Sequence, residues 1–245
     1  MTNIPSPSVI PFQLTLPRVI LSLLWLGFTI YAFGFAPPDQ PQTLDLIRRL
    51  VIGQWQGIDG YVVGLFNLMG VLPAIYAAVL CTEGKGQRVP TGVFVALSFF
   101  VGAFAMIPYL ILREPQLQFR DSDVDLSENR ASGHNQSSQN SWWEKAFGGK
   151  FTGVILLIIT SYFIYYGLQQ GNLSNFLGLW QKDRFIHVMG WDFCLLNLLL
   201  PLVIRDDLSR RNCAPRNWLW WIIGLPLLGP LVYLCVRPKI AHDKG

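Results

Sequence analysis

Charge is what this sequence has least of. Asp, Glu, Lys and Arg make up 14% of its 245 residues, where a soluble domain carries about 25%. That deficit argues against an ordinary water-facing surface. Histidine is scarcer still, with three in the chain. His134 and His242 stand in polar stretches, leaving His187 alone in an apolar one. A bis-histidine haem within one chain and the repeated histidine boxes of a diiron site are thereby excluded. The four cysteines, Cys81, Cys194, Cys213 and Cys235, stand singly, so neither a zinc knuckle nor a disulfide scaffold is suggested. Long apolar–polar alternation is missing, which excludes a membrane barrel. No nucleophile elbow, P-loop or dinucleotide fingerprint occurs. No catalytic residue and no metal ligand set is therefore assigned, a non-enzymatic role is favoured, and nucleic acid is not an expected partner.

Hydrophobicity is what the sequence has instead: 51% of residues are apolar and the mean hydropathy is positive. A hydrocarbon core of roughly 30 Å needs about 20 apolar residues in a helix. Six segments meet or approach that length, at about Val19–Phe35, Tyr61–Cys81, Val93–Leu112, Val154–Leu168, Phe185–Ile204 and Trp218–Val236. Backbone groups in lipid must be satisfied within their own segment, so these runs are read as helices. The expected class is an all-α polytopic integral membrane protein with six transmembrane helices. The stretch ahead of the first segment lacks a basic region, and no small-residue cleavage site follows it. It is read as an uncleaved helix, not a signal peptide.

The polar stretch 114–150, rich in Ser, Asn, Gln and Asp, is too poor in branched aliphatics to order itself. It reads as a flexible linker between a first three-helix unit, 1–113, and a second, 151–245. Trp142 and Trp143 near its end suit the headgroup layer. Laying one unit on the other gives matches in consistent order. Trp55-Gln56 falls on Trp180-Gln181 and Pro90 on Pro215 at an offset of 125, while Tyr109, Leu110 and Arg113 fall on Tyr233, Leu234 and Arg237 at 124. Each unit also holds a short amphipathic piece, capped by Thr43 in the first and Ser174 in the second. A repeat of three crossings must come out inverted, so a 3+3 inverted repeat is expected. Arg113 and Arg237 would then cap equivalent helices on opposite membrane faces and snorkel to headgroups. With Tyr109 and Tyr233 they form the candidate docking positions. Six crossings put 8 Lys/Arg on the face of the termini and 11 on the other, which favours termini outside the cytoplasm or stroma.

Polar residues inside membrane segments are rare and default to functional candidates. They are Asn67, His187, Asp192 and Asn197. The offset lays Asn67 on Asp192, and across a pseudo-twofold the two could approach each other, either as a proton or ion site or as a bonded lock. His187 could ligate a chlorophyll magnesium or haem iron through a ring nitrogen, or sit at headgroup level with no ligand. Glycine and proline crowd the third and sixth segments, with Gly102 and Pro108 in one and Gly224, Pro226, Gly229 and Pro230 in the other. Broken helices there point either to a midplane site or to close packing.

The runs "LFNLMGVLPAIYAAVL" and "VFVALSFFVGAFAMIPYLILREP", with "FIHVMGWDFCLLNLLLPLVIRDDLSRRN" further on, resemble an uncharacterised family of multi-span membrane proteins of cyanobacteria with plastid relatives. The resemblance implies a thylakoid or cyanobacterial plasma membrane location and a role around photosynthesis. The expected function is an accessory or assembly/stability factor docked on a larger photosynthetic membrane complex and in contact with membrane lipid. The alternatives are a small inverted-repeat transporter of an ion or solute and, third, a lipid- or carotenoid-modifying enzyme. Chlorophyll or carotenoid is conceivable as a cofactor in that setting, though no motif supports either.

Overall fold

The computed structural model describes residues 15–80, 89–114, 149–211 and 224–237. Among them every element is helical. In chain order they are α1 (Leu16–Ile30), continued by a π-helical turn (Tyr31–Phe35), α2 (Thr43–Val51), α3 (Gly60–Leu80), α4 (Thr91–Val101), α5 (Ala103–Leu112), α6 (Lys150–Gln170), α7 (Leu173–Lys182), α8 (Arg184–Arg210) and α9 (Leu228–Val236). Four are long and apolar enough to cross a membrane: α1 with its π turn, α3, α6 and α8. The expected linker lies outside the described residues apart from Glu114, Gly149 and Lys150, as does the first part of the expected sixth segment.

The expected third crossing, Val93–Leu112, is not one helix. Its apolar run is long enough, but Gly102 takes φ 53° and ψ −125°, a conformation that a side chain disfavours. The chain reverses there. Thr91 Oγ1 and Tyr109 Oη are 3.0 Å apart, so α4 and α5 lie side by side as a hairpin that starts and ends at one end of the bundle. The same break recurs 125 residues on, where Leu227 has φ 63° and leads into α9. Pro108 and Pro230, expected to break these segments, sit inside α5 and α9 instead. A proline leaves the carbonyl four residues earlier without its helical donor. For Pro108 that carbonyl belongs to Phe104, and the Trp25 indole N–H of α1 donates to it at 3.1 Å.

The packing gives each element a direction. α6 runs antiparallel to α3 through two facing Gly-x-x-x-Gly pairs: Gly60 lies against Gln170 and Gly171, and Gly64 against Phe163 and Gly167. Small residues allow this close backbone approach. α8 runs parallel to α3, and the Tyr76 hydroxyl of α3 donates to the Leu196 carbonyl of α8 at 2.7 Å. One end of the bundle, the charged end, gathers Arg18, the C-termini of α3, α5, α8 and α9, and the start of α6. The other, the aromatic end, holds the π turn, α2, α7 and the starts of α3 and α8. The core between them is built from α3, α5, α8 and α9, with Tyr76, Tyr109 and Tyr233 its largest fully buried side chains. α1 lies outermost, burying Leu21 and Phe28 while exposing most of its other apolar residues.

Arg113 and Arg237 do not face opposite ways. They meet consecutive aspartates of α8: Arg113 Nη2 lies 2.5 Å from Asp206 Oδ2, and Arg237 Nη1 lies 4.0 Å from Asp207 Oδ2. Three crossings per unit would set the two arginines at opposite ends, whereas both lie beside adjacent aspartates of α8. The caps differ as well. Thr43 is the first residue of α2, and Asn172, not Ser174, caps α7 by accepting from the Asn175 N–H.

Candidate functional site

At the charged end, two acids organise an excess of arginines. Asp207 is wholly buried and takes the Tyr233 hydroxyl at 2.5 Å and Arg211 Nε at 2.9 Å. Arg210 adds a longer contact at 3.9 Å. Arg237 donates to the Ala78 carbonyl at 2.7 Å, closing the last turn of α3. Arg113 is 6% exposed and Arg237 3%. Neither snorkels: both are buried partners in a network spanning α3, α5, α8 and α9. Arg18 of α1 joins it by donating to the Arg113 carbonyl at 3.2 Å. Tyr109 and Tyr233, expected at a docking face, are buried and tie their helices to Thr91 and Asp207.

Deeper in, Asp192 stands eight residues from the start of α8, about 12 Å along it. Its Oδ1 accepts the Ala103 N–H at 2.6 Å. Ala103 begins α5, so this carboxylate caps a helix N-terminus within the apolar layer, where the exposed N–H groups and the helix dipole both favour negative charge. Gly102 is required beside it, since a Cβ there would overlap the carboxylate. The partner that sequence reasoning sought in Asn67 is thus a backbone. Asn67 instead donates to the Val63 carbonyl of its own helix at 2.9 Å. Asn197 likewise donates to Phe193 at 2.8 Å, leaving its Oδ1 buried without a partner.

At the aromatic end, His187 is 7% exposed. Its Nδ1 lies 2.8 Å from the Trp180 carbonyl, and its Nε2 lies 2.7 Å from Tyr31 Oη and 3.2 Å from Trp191 Nε1. A carbonyl accepts and an indole N–H donates. The proton therefore sits on Nδ1, and Nε2 accepts from both Trp191 and Tyr31. The ring stacks on Trp180 at 4.3 Å between centroids. The nitrogen lone pair a magnesium or iron would take is already engaged, so this arrangement does not fit a chlorophyll or haem ligand. Among the described residues no group of three or more His, Cys, Asp or Glu is placed to hold a metal.

Two further acids at this end were missed in the sequence. Asp59 accepts the Tyr61 N–H beside the start of α3 and also takes Asn172 N–H and Asn175 Nδ2 at the start of α7. Asp183 caps α8 through the Ile186 N–H and takes Thr43 Oγ1 at the start of α2. Each holds its own long helix and the short helix of the other unit. Their spacing of 124 was the available signal. Nearby, Gly53, Trp55, Gln56, Gly57, Ile58, Tyr166 and Gln170 line an open depression of about 350 Å³.

No family model, curated protein or solved structure matches the chain.

Proposed function

We propose that the chain is a non-enzymatic integral membrane protein that acts as an accessory or assembly/stability factor on a larger membrane complex. The observation that carries this reading is how the intramembrane polar groups are used: Asp192, His187, Arg113 and Arg237 each hold one helix against another. A transporter would keep Asp192 facing a wet path, whereas here it is seated on Gly102 and bonded to Ala103. An enzyme would need a reactive constellation, and Asp192, His187, Arg113 and Arg237 are each committed to structure.

In this reading the repeat is parallel, not inverted. Each unit makes two crossings, α1 and α3 or α6 and α8, with an amphipathic helix, α2 or α7, at the aromatic end. A re-entrant hairpin from the charged end completes it, with α5 or α9 as the returning limb. The helix breaks 125 residues apart and the reciprocal grips of Asp59 and Asp183 support that scheme. Four crossings also change the orientation. Arg18, Arg113, Lys150, Arg205, Arg210, Arg211 and Arg237 stand at the charged end, against Arg48, Arg49, Lys182 and Arg184 at the other. The rule that basic loops stay inside then favours the charged end as the side facing cytoplasm or stroma.

The photosynthetic setting of the complex rests on the sequence resemblance alone. Gentle detergent extraction and native gel separation test the docking role: the protein is expected to migrate with a large complex whose abundance falls in a deletion strain. Migration as a free small species, with photosystems at normal abundance, overturns it. Lysine-directed labelling of sealed vesicles checks the orientation.

A further inference from the structure

We propose that the depression beside Trp55 binds a neutral glycosyl group, supplied as the headgroup of a lipid in the leaflet at the aromatic end. The loop that forms it, between α2 and α3, is shaped by two glycines. Gly53, at φ 78°, ends α2: its own N–H reaches the Leu50 carbonyl at 3.4 Å, and the Gln54 N–H reaches Arg49 at 2.9 Å. Those paired bonds close a helix through a left-handed glycine. Gly57, at φ 75°, is the third residue of a turn in which the Ile58 N–H returns to the Trp55 carbonyl at 3.0 Å. That position takes a positive φ in a type II turn. A Cβ at either glycine would meet nothing within 4 Å, so both serve the backbone course and the loop stands open. It is also held firmly. The Trp55 indole N–H donates to the Leu50 carbonyl at 3.2 Å, and Arg49 donates to the Gln56 carbonyl.

The second unit joins its helices without such a loop. Trp180, 125 positions on, lies inside α7, which runs to Lys182 and meets the Asp183 cap of α8 directly. The His187 ring stacks on Trp180 at 4.3 Å between centroids. Trp55 instead meets Phe163 and Tyr166 at steep angles, 71° and 64°, and no described ring lies parallel on it. Since Asp59 and Asp183 make the same junction in both units, the loop of the first is not needed for the scaffold. What it adds is the depression of about 350 Å³, within the range of small-ligand sites. Tyr166 and Gln170, one turn apart near the end of α6, form its far side.

The lining selects the ligand's chemistry. No charged side chain contributes to it. Arg49 is turned to the Gln56 carbonyl, and Asp59 is taken by Tyr61, Asn172 and Asn175. The N–H groups of Gln56 and Gly57, the amides of Gln56 and Gln170 and the Tyr166 hydroxyl make no hydrogen bond among the described residues. A sugar ring presents an apolar C–H face and a rim of hydroxyls that both donate and accept. That pattern matches an indole wall facing amides and open N–H groups. A phosphate would find no cation in the lining, and a quaternary ammonium would find N–H donors and no acid. Depth points to a lipid as the source. Counted from Lys150 at the charged end, the 21 residues of α6 rise about 30 Å, which sets Gln170 at the opposite headgroup layer. The site stands independently of any docking partner.

Native mass spectrometry of the full chain, stripped of lipid in a detergent without sugar groups, tests this. The probes are monoglucosyl and monogalactosyl diacylglycerol, phosphatidylcholine and phosphatidylglycerol, all with the same acyl chains. One of the two glycolipids should be retained at least about tenfold more tightly than either phospholipid, as two or three added hydrogen bonds allow. The double variant Gln56→Ala with Gln170→Ala changes two exposed side chains and should lose that preference while keeping its phosphatidylcholine adducts. Methyl glucoside and methyl galactoside, added at the lipid's concentration, separate the sources. No displacement is expected and assigns the lipid, whereas displacement upholds the glycosyl site and assigns a soluble saccharide. Equal retention of all four lipids overturns the proposal. So does a preference for either phospholipid, and so does a glycolipid preference that survives in the double variant.

Discussion

The two helix breaks, at Gly102 and Leu227, look alike and are held differently. Both enter a short helix through a positive φ, and both helices end in Tyr-Leu-x-x-Arg against adjacent aspartates of α8. At Gly102 the start of α5 is capped by Asp192, which belongs to another helix. At Leu227 the chain satisfies itself: the Leu228 N–H returns to the Pro226 carbonyl at 2.7 Å, a γ-turn centred on Leu227, and Gly229 N–H reaches Leu225. Such a turn is strained for a residue with a side chain. One break thus depends on a distant acid, while the other carries its strain locally. A shared sign of φ at the entry to a helix does not imply shared energetics.

Substitutions can break this contrast or sharpen it. The largest effect is expected from Gly102→Leu, which forces a bulky residue into a disfavoured φ and drives its Cβ into the Asp192 carboxylate. A loss of about 3–5 kcal/mol follows from the two causes together, read as a shift of the SDS-induced unfolding midpoint in mixed micelles. Asp192→Leu comes next at about 2–3 kcal/mol, because a buried N–H at the start of α5 is left without its acceptor. Asn67→Leu, its counterpart at the 125 offset, should cost under about 1 kcal/mol, since the Val63 carbonyl keeps its helical bond. A comparable loss at both positions would mean that Asn67 supports the second break after all. The smallest and most specific effect is at Leu227. Truncating a buried leucine to Gly normally costs more than truncating it to Ala, but here Leu227→Gly should be the milder by about 1 kcal/mol, because glycine relieves the positive φ. The usual order would show that the turn is unstrained.

The helices were legible in the sequence because lipid leaves few alternatives to a long apolar helix, and α3, α6 and α8 fall close to their expected bounds. The hairpin was not. A run of 20 apolar residues reads as a crossing, and one glycine inside it reads as tolerated packing; only the φ at Gly102 tells them apart. Counting that run as a crossing is what led to an inverted repeat and to the count of basic residues on each face. The offset of 125 was visible in Trp, Pro, Tyr and Arg, yet its most informative pair, Gly102 and Leu227, shares no chemistry a sequence comparison would notice. Arg113 and Arg237 were found for the right pattern and given the wrong environment, because a terminal arginine looks the same whether it meets a phosphate or an aspartate. His187 was singled out by its rarity. Its engagement by Tyr31 and Trp180 depends on a π turn that the sequence does not announce.

The cap on α5 also sets a timetable for biogenesis. Ala103 and the acid that receives its N–H are 89 positions apart, so the blind tip of the hairpin is synthesised long before its acceptor exists. At about 5–20 residues per second, the wait is roughly 4–18 s. During that interval an uncapped helix start would have to sit in hydrocarbon, where unsatisfied N–H groups are poorly tolerated. The segment Thr91–Leu112 should therefore rest shallowly at the headgroup layer, or against an insertion partner, and sink to its final depth only when α8 arrives beside it. With the native cysteines replaced and Phe100→Cys placed near the tip, nascent chains stopped before Asp192 should leave that thiol open to aqueous maleimide, and chains stopped after α8 should hide it.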